Sequence, residues 1–263
     1  MRIVLTHELD QAAELVATEI LRQLDKKPKL VLGLATGSTP VGIYRKLAEA
    51  HQRGKADFSR VHTFNLDEYL DLPAGHERGY RYFMDEHLFQ HINIPRENIH
   101  FPPSEGSDLE RRCVEFEERI LEVGGIDIQV LGIGSNGHIG FNEPMSSLCS
   151  RTRIKTLTDK TLTDNSRFYA EGEHQPELAV TMGIGTILDA RKIVLQAFGA
   201  KKSEAIRATV EGPVSSSCPG SALQLHPATT LYLDPDSASQ LRERKYYERA
   251  QQLQSKLRQE GRL

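Results

Sequence analysis

His138 lies within the string LGIGSNGHIGFNEP, residues 131–144, with Asn136 two residues before it and Glu143 five after. An imidazole titrates near neutrality and can carry a proton in either direction. A neighbouring carboxylate can fix its tautomer and stabilise its charged form. Gly132, Gly134, Gly137 and Gly140 make a loop able to wrap closely around a ligand. The plainer account of the same residues is a surface-loop histidine and a helix-capping glutamate. GIGSNG satisfies a loose GxGxxG pattern, but no acidic residue follows about 20 positions on after a second strand, so a dinucleotide site is not supported.

Three further clusters could join this chemistry. Thr36-Gly37-Ser38-Thr39 offers hydroxyls and backbone N–H groups ahead of a helix, an anion cradle or a set of plain helix caps. It lacks the GxxxxGK[ST] form of a nucleotide loop. Asp67 and Glu68 are adjacent carboxylates, and a carboxylate in a cleft can have its pKa raised and act as a general base. In an extended segment the two point opposite ways, and the sequence favours neither. Arg167, Lys201 and Lys202 could add positive charge for a phosphate. Arg151, Arg153 and Lys155 alternate, so an extended backbone would place them on one face, fit for a second anion or simply solvated. No HExxH or Cys/His cluster calls for a metal.

These residues need elements to hold them. Leu9, Ala12, Ala13, Val16, Ile20 and Leu24 predict an amphipathic helix over 7–24. KLVLGLA at 29–35 reads as a buried strand, followed by the Thr36–Thr39 loop and a helix from Val41. Strands are expected at 61–65, 126–133, 193–198 and 229–233, and helices at 82–89, 108–122, about 203–210 and 236–262, the last possibly broken. Strands alternating with helices imply an α/β fold: an open, mostly parallel Rossmann-like sheet flanked by helices. A sheet buried on both faces explains the continuous apolar runs. Such sheets bind ligands outside the carboxyl ends of their strands, where the polar clusters fall. Residues 144–176, rich in Ser, Thr, Arg and Asp, read as a lid-like excursion.

Composition narrows the function class. The 263 residues fit one domain spanning 1–263. Lys and Arg total 33 against 36 Asp and Glu, and no long basic run exists to neutralise a nucleic-acid backbone. No apolar stretch reaches the ~18 residues of a membrane span, and the first residues read as a mature start. Cys113, Cys149 and Cys218 are far apart and odd in number, which fits a reducing cytoplasm rather than a disulfide framework.

The chain resembles the glucosamine-6-phosphate deaminase family. The similar strings are LGLATGSTPVGIY (32–44), FNLDEYLDL (64–72), LGIGSNGHIGFNEP (131–144), SSLCSRTRIKTL (146–157), NSRF (165–168), LAVTMGIGTIL (178–188) and SALQLHP (221–227). They cover nearly the whole chain. The resemblance implies conversion of glucosamine 6-phosphate and water to fructose 6-phosphate and ammonia, without metal or redox cofactor. It implies Asp67 as the base between C2 and C1, His138 as the ring-opening acid/base, and Glu143 as its orienting partner. Gly37, Ser38, Thr39, Arg167 and Lys202 match the phosphate site, and Glu68 becomes secondary. Some members carry Asp where this chain has Asn136, which can hold the ring but adds no negative charge.

The resemblance also implies regulation. In some relatives a subunit-interface site binds N-acetylglucosamine 6-phosphate as an activator, and those relatives are hexamers. Ser147, Arg153 and Lys155 stand at matching positions, with Tyr247, or its neighbour Tyr246, as the C-terminal tyrosine. Two other functions use part of this inventory. A 6-phosphogluconolactone hydrolase would need the phosphate loop and His138 but no base at Asp67. A non-catalytic sugar-phosphate sensor would bind without releasing ammonia.

Overall fold

The helix and strand patterns are realised, and further short strands, Arg2–Leu5, Asp67–Tyr69, Ile99–His100 and Leu178–Thr181, join them that the sequence pattern does not announce. The structure is a computed structural model and describes residues 1–70, 72, 75–166 and 175–262. In chain order its elements begin with β1 (Arg2–Leu5), α1 (Leu9–Lys26), β2 (Val31–Leu34), α2 (Val41–Gln52), β3 (His62–Asn65) and β4 (Asp67–Tyr69). There follow α3 (Tyr80–His87), β5 (Ile99–His100), α4 (Leu109–Glu122), β6 (Ile128–Leu131), β7 (Arg153–Thr156) and α5 (Asp159–Ser166). The chain continues through β8 (Leu178–Thr181), α6 (Ile184–Leu188), β9 (Ile193–Ala197), α7 (Ser203–Glu211), β10 (Thr229–Leu233) and α8 (Arg244–Gln259).

Among the described residues, seven strands form one sheet in the order β1-β10-β9-β6-β2-β3-β5, all parallel. The four residues of β2, β6 and the five of β9 are all buried, as a sheet covered on both sides requires. One face meets α1 and α2, where Val16, Ile20, Ile43, Tyr44 and Leu47 pack on Leu32, Leu34, Val130 and Val194. The other meets α4, α6 and α7 through Phe116, Ile120, Ile187 and Ile206.

The path of the chain creates the crevice. From β2 it runs outward through β3 to β5, then returns to β6 on the opposite side of β2 and runs outward through β9 and β10. The switch point therefore lies between the carboxyl ends of β2 and β6.

The expected opening helix is preceded by β1, a four-residue strand at the sheet edge too short to show a period. The segment after β3 does not simply end. After Leu66 it becomes β4, the first strand of a three-stranded antiparallel sheet in the order β4-β8-β7. Part of the expected excursion at 144–176 is thus fixed: β7 pairs with β8, and α5 follows it. Glu117 of α4 ties this sheet to the body. Its carboxylate accepts from the Thr152 N–H at 2.8 Å, from the Thr152 and Thr186 hydroxyls, and from Arg151.

Candidate active site

Four adjacent strands of the sheet, β9-β6-β2-β3, end in the four polar clusters that the sequence singles out. Because all four run parallel, Lys202, His138, Ser38 and Asp67 emerge at the same edge.

The loop after β2 turns at Gly37, whose φ of +91° lies in the left-handed region that favours glycine. Gly37 and Ser38 are exposed, and Thr39 is half-buried. Among the described residues no carbonyl or side chain accepts from the N–H groups of Gly37, Ser38 or Thr39. Together with the start of α2 they form a set of donors suited to an oxyanion. Lys202 is half-buried in the turn after β9. Arg167, the other expected phosphate ligand, lies outside the described residues.

Asp67 and Glu68 separate as strand alternation requires. Glu68 Oε1 accepts from the N–H groups of Tyr69 at 2.9 Å and Tyr80 at 2.8 Å, and Oε2 from Arg81 at 2.9 Å, so it caps α3. Burial raises its carboxyl despite these three donors. Asp67 is 6 % exposed, and its carboxylate makes no hydrogen bond among the described residues. Burial first, and the charge of Glu68 second, push its carboxyl up to about 8. Asp67 Oδ2 lies beside the His138 loop: a Cβ placed on Gly140 would stand 3.5 Å from it.

That loop is folded around the imidazole. The His138 ring covers the Gly134 backbone so closely that a Cβ there would sit 2.3 Å from ring carbon Cε1. Asn136 Oδ1 accepts from the His138 N–H at 3.2 Å, and Asn136 Nδ2 donates to Glu143 Oε2 at 2.8 Å. Buried His138 Nδ1 faces the same Oε2 at 3.4 Å, the separation of an ion pair rather than of an aligned hydrogen bond. The side chain keeps 21 % exposure. With Nδ1 buried, that exposure falls on the rest of the ring, where Nε2 lies. Burial alone would raise the Glu143 carboxyl. The approach of His138 and the donors Thr161 and Asn136 outweigh it and hold Glu143 at about 2. The carboxylate is therefore a fixed negative charge behind the imidazole.

The geometry adds residues that no sequence signal marks. Thr161 of α5 donates from its hydroxyl to Glu143 Oε1. The Tyr80 hydroxyl donates to the Tyr69 hydroxyl at 3.3 Å, and burial first, with Tyr69 and the charge of Asp67 after it, raises its pKa. It thereby stands near the buried Asp67 carboxylate. Thr181 accepts from the Phe141 N–H at 3.1 Å and holds the far end of the loop. Among the described residues no three His, Cys, Asp or Glu side chains gather into a possible metal cage.

The expected regulatory residues are only partly together. Arg153 and Lys155 share the half-buried face of β7. Arg151 precedes the strand and is held away by Glu117 and, at 2.6 Å, by Asp189. Ser147 is exposed in the turn before β7. Tyr247 of α8 instead meets Glu211 at 3.4 Å.

A family model described as glucosamine-6-phosphate isomerases/6-phosphogluconolactonase matches residues 6–232. The chain belongs to this family. It is 54% identical over 247 residues to a glucosamine-6-phosphate deaminase of Shewanella loihica, covering 94% of this chain and 92% of the relative. It is 51% identical over 257 residues to the corresponding deaminase of Cellvibrio japonicus, covering 98% of each. Among solved structures, a monomeric glucosamine-6-phosphate deaminase superposes with a TM-score of 0.87 at 39% identity, over 91% of this chain and 99% of that one. A 6-phosphogluconolactonase of Leishmania guyanensis, at 20% identity and a TM-score of 0.71 over 91% of this chain and 98% of that one, shares the fold.

Proposed function

We propose that this chain converts glucosamine 6-phosphate and water into fructose 6-phosphate and ammonia. The observation that carries the reading is the buried carboxylate of Asp67, raised to about 8, beside a loop that holds the His138–Glu143 pair. Relatives of about 50% identity over nearly the full length bear the name of this activity.

The phosphate docks on the Gly37–Thr39 N–H groups, with Lys202 and Arg167 as its charged partners. This anchor orients a small polar sugar from a point remote from the reacting carbons. His138 opens the ring by taking the proton of O1 and delivering one to O5, and Glu143 stabilises the imidazolium formed between the two transfers. Asp67 then takes the C2 proton to give an enolamine and returns a proton to C1. The resulting imine adds water at C2 and loses ammonia, leaving the ketose. Glu68 stays outside this sequence, since its carboxylate is committed to α3.

The test is incubation of the purified chain with glucosamine 6-phosphate, following ammonia and fructose 6-phosphate together. Equal yields of both are expected, and absence of both ends the reading. Hydrolysis of 6-phosphogluconolactone has no use for a base over C2, so a lactonase would keep its rate when Asp67 becomes Asn.

A regulated, hexameric form is the finer reading. It is favoured by Arg153, whose half-buried guanidinium meets no carboxylate among the described residues and is lowered by desolvation. Such a cation wants an anion. N-acetylglucosamine 6-phosphate supplies one, with Lys155 and Ser147 nearby in sequence and Tyr247 brought by another subunit. The free cysteines fit a cytoplasmic setting, and among the described residues no helix is long and apolar enough to cross a membrane.

A further inference from the structure

We propose that Thr161 is a positioning residue of the acid/base pair: its hydroxyl, delivered by α5, fixes the Glu143 carboxylate in the orientation that serves His138. The proposal rests on the roles of His138 and Glu143 given above.

The two oxygens of Glu143 are divided between two parts of the chain. Oε2 accepts from Asn136 Nδ2 at 2.8 Å and faces His138 Nδ1 at 3.4 Å. Oε1 accepts from the Thr161 hydroxyl, on a helix 18 residues further along. The terminal torsion of a glutamate is broad, so a carboxylate held at one oxygen can swivel. Held at both, it presents one lone pair to the imidazole.

Thr161 itself is set up to donate. It is 4% exposed. The Thr158 hydroxyl lies 3.2 Å from Thr161 Oγ1 and also accepts from the Thr161 N–H at 3.3 Å. With that neighbour on the acceptor side of its hydroxyl, the proton of Thr161 goes to Glu143. A hydrogen bond to an ionised acceptor is stronger than a neutral one, in keeping with the low value of the Glu143 carboxyl.

Anchorage of the helix does not depend on this hydroxyl. Leu162 packs into the small apolar cluster of Tyr69, Phe141, Leu157 and Ala179. The Thr161 hydroxyl instead joins the segment after β7 to the catalytic loop. Docking of α5 and readiness of the imidazole become one event.

The experiment compares wild type, Thr161→Val, Thr161→Ala and Thr161→Ser in ammonia release from glucosamine 6-phosphate, with Tm for each. Val and Ala remove the donor and should lower kcat about tenfold while leaving KM within about twofold. Ser keeps the donor and should restore kcat to within about threefold. A purely structural threonine would lower Tm in all three variants without the split between kcat and KM. Wild-type kcat in both Val and Ala, or no recovery in Ser, overturns the proposal while the deaminase reading stands. Failure of wild type to release ammonia overturns both.

Discussion

Asp67 and Arg153 stand opposite the same residue, Thr181, from the two sides of the middle strand of the small sheet. Side chains directly opposite in antiparallel strands share a face, so the buried Asp67 carboxylate and the Arg153 guanidinium flank one threonine. Arg153 Nη1 also donates to Asn142 Oδ1 at 2.9 Å, and Asn142 adjoins Glu143 in sequence. On the regulatory reading proposed above, an anion that draws Arg153 away from Asn142 would act on the residue next to Glu143. Arg153→Met is expected to abolish the response of the rate curve to N-acetylglucosamine 6-phosphate. Initial rates with and without that compound check this. The wild-type curve should pass from sigmoidal to hyperbolic, and a wild-type curve indifferent to the compound removes the regulatory reading.

Asp67 binds its proton more tightly folded than unfolded, since its carboxyl rises from an ordinary 3.8 to about 8. Between those values the unfolded chain holds fewer protons, so this group's contribution to stability falls as pH rises from about 4 to about 8 and levels off beyond. In the proposed role of base it must be ionised, so kcat/KM should rise through the upper part of the same window. Asp67→Asn is expected to cut ammonia release at least about a thousandfold and to raise Tm at pH 9 by about 3 °C or more. The gain should vanish near pH 4. Calorimetry at the two pH values tests it, and equal Tm differences at both would remove the burial argument.

How much of this could be read from sequence depended on where each signal resides. Runs such as LVLGLA and IDIQVLGI announce strands because a doubly covered sheet needs apolar side chains on both faces. The three residues of β4 follow β3 after a single residue, Leu66, so the change of sheet has no composition mark. Alternation correctly sent Asp67 and Glu68 to different surroundings but could not say which met the cleft. The Gly-rich loop betrayed His138 and Glu143 because close backbone approach excludes side chains, as Gly134 beneath the ring shows. Thr161 and Tyr80 gave no warning. Their roles arise from the docking of α5 and α3, and a threonine in TLTDKTLTD looks like its neighbours.

Asn136 leaves Glu143 as the carboxylate that faces the imidazole, and its amide donates where an Asp would repel. Asn136→Asp would place a second carboxylate within about 3 Å of Glu143 Oε2, and like charges that close titrate as a coupled pair. Asp has nearly the shape of Asn, so the variant should keep the loop and stay active. Carbon-13 NMR should then show a carboxyl titrating between about pH 4 and 7, above the about 2 of Glu143 in this chain. A variant whose new carboxyl titrates entirely below pH 4 would mean that the two carboxyl groups do not titrate as a coupled pair.

His62 and His100, on adjacent strands at the far edge of the sheet, bring ring nitrogens to 3.5 Å in nearly parallel planes. His100 also stacks on Phe64 at 4.5 Å. Burial, then the charges of Arg119 and His62, lower His100 to about 4, and burial with Arg119 and Lys29 lowers His62. Unfolded, both return toward an ordinary 6.5, so the unfolded chain takes up more protons below that value. The pair's contribution to stability is complete above about pH 6.5 and is lost as pH falls toward about 4. His100→Phe keeps a ring against Phe64 but removes one titrating partner. Its Tm should therefore fall less steeply than wild type between pH 6.5 and 4.5. Parallel Tm curves across that interval would show that the histidine pair does not set the acid limit of the fold.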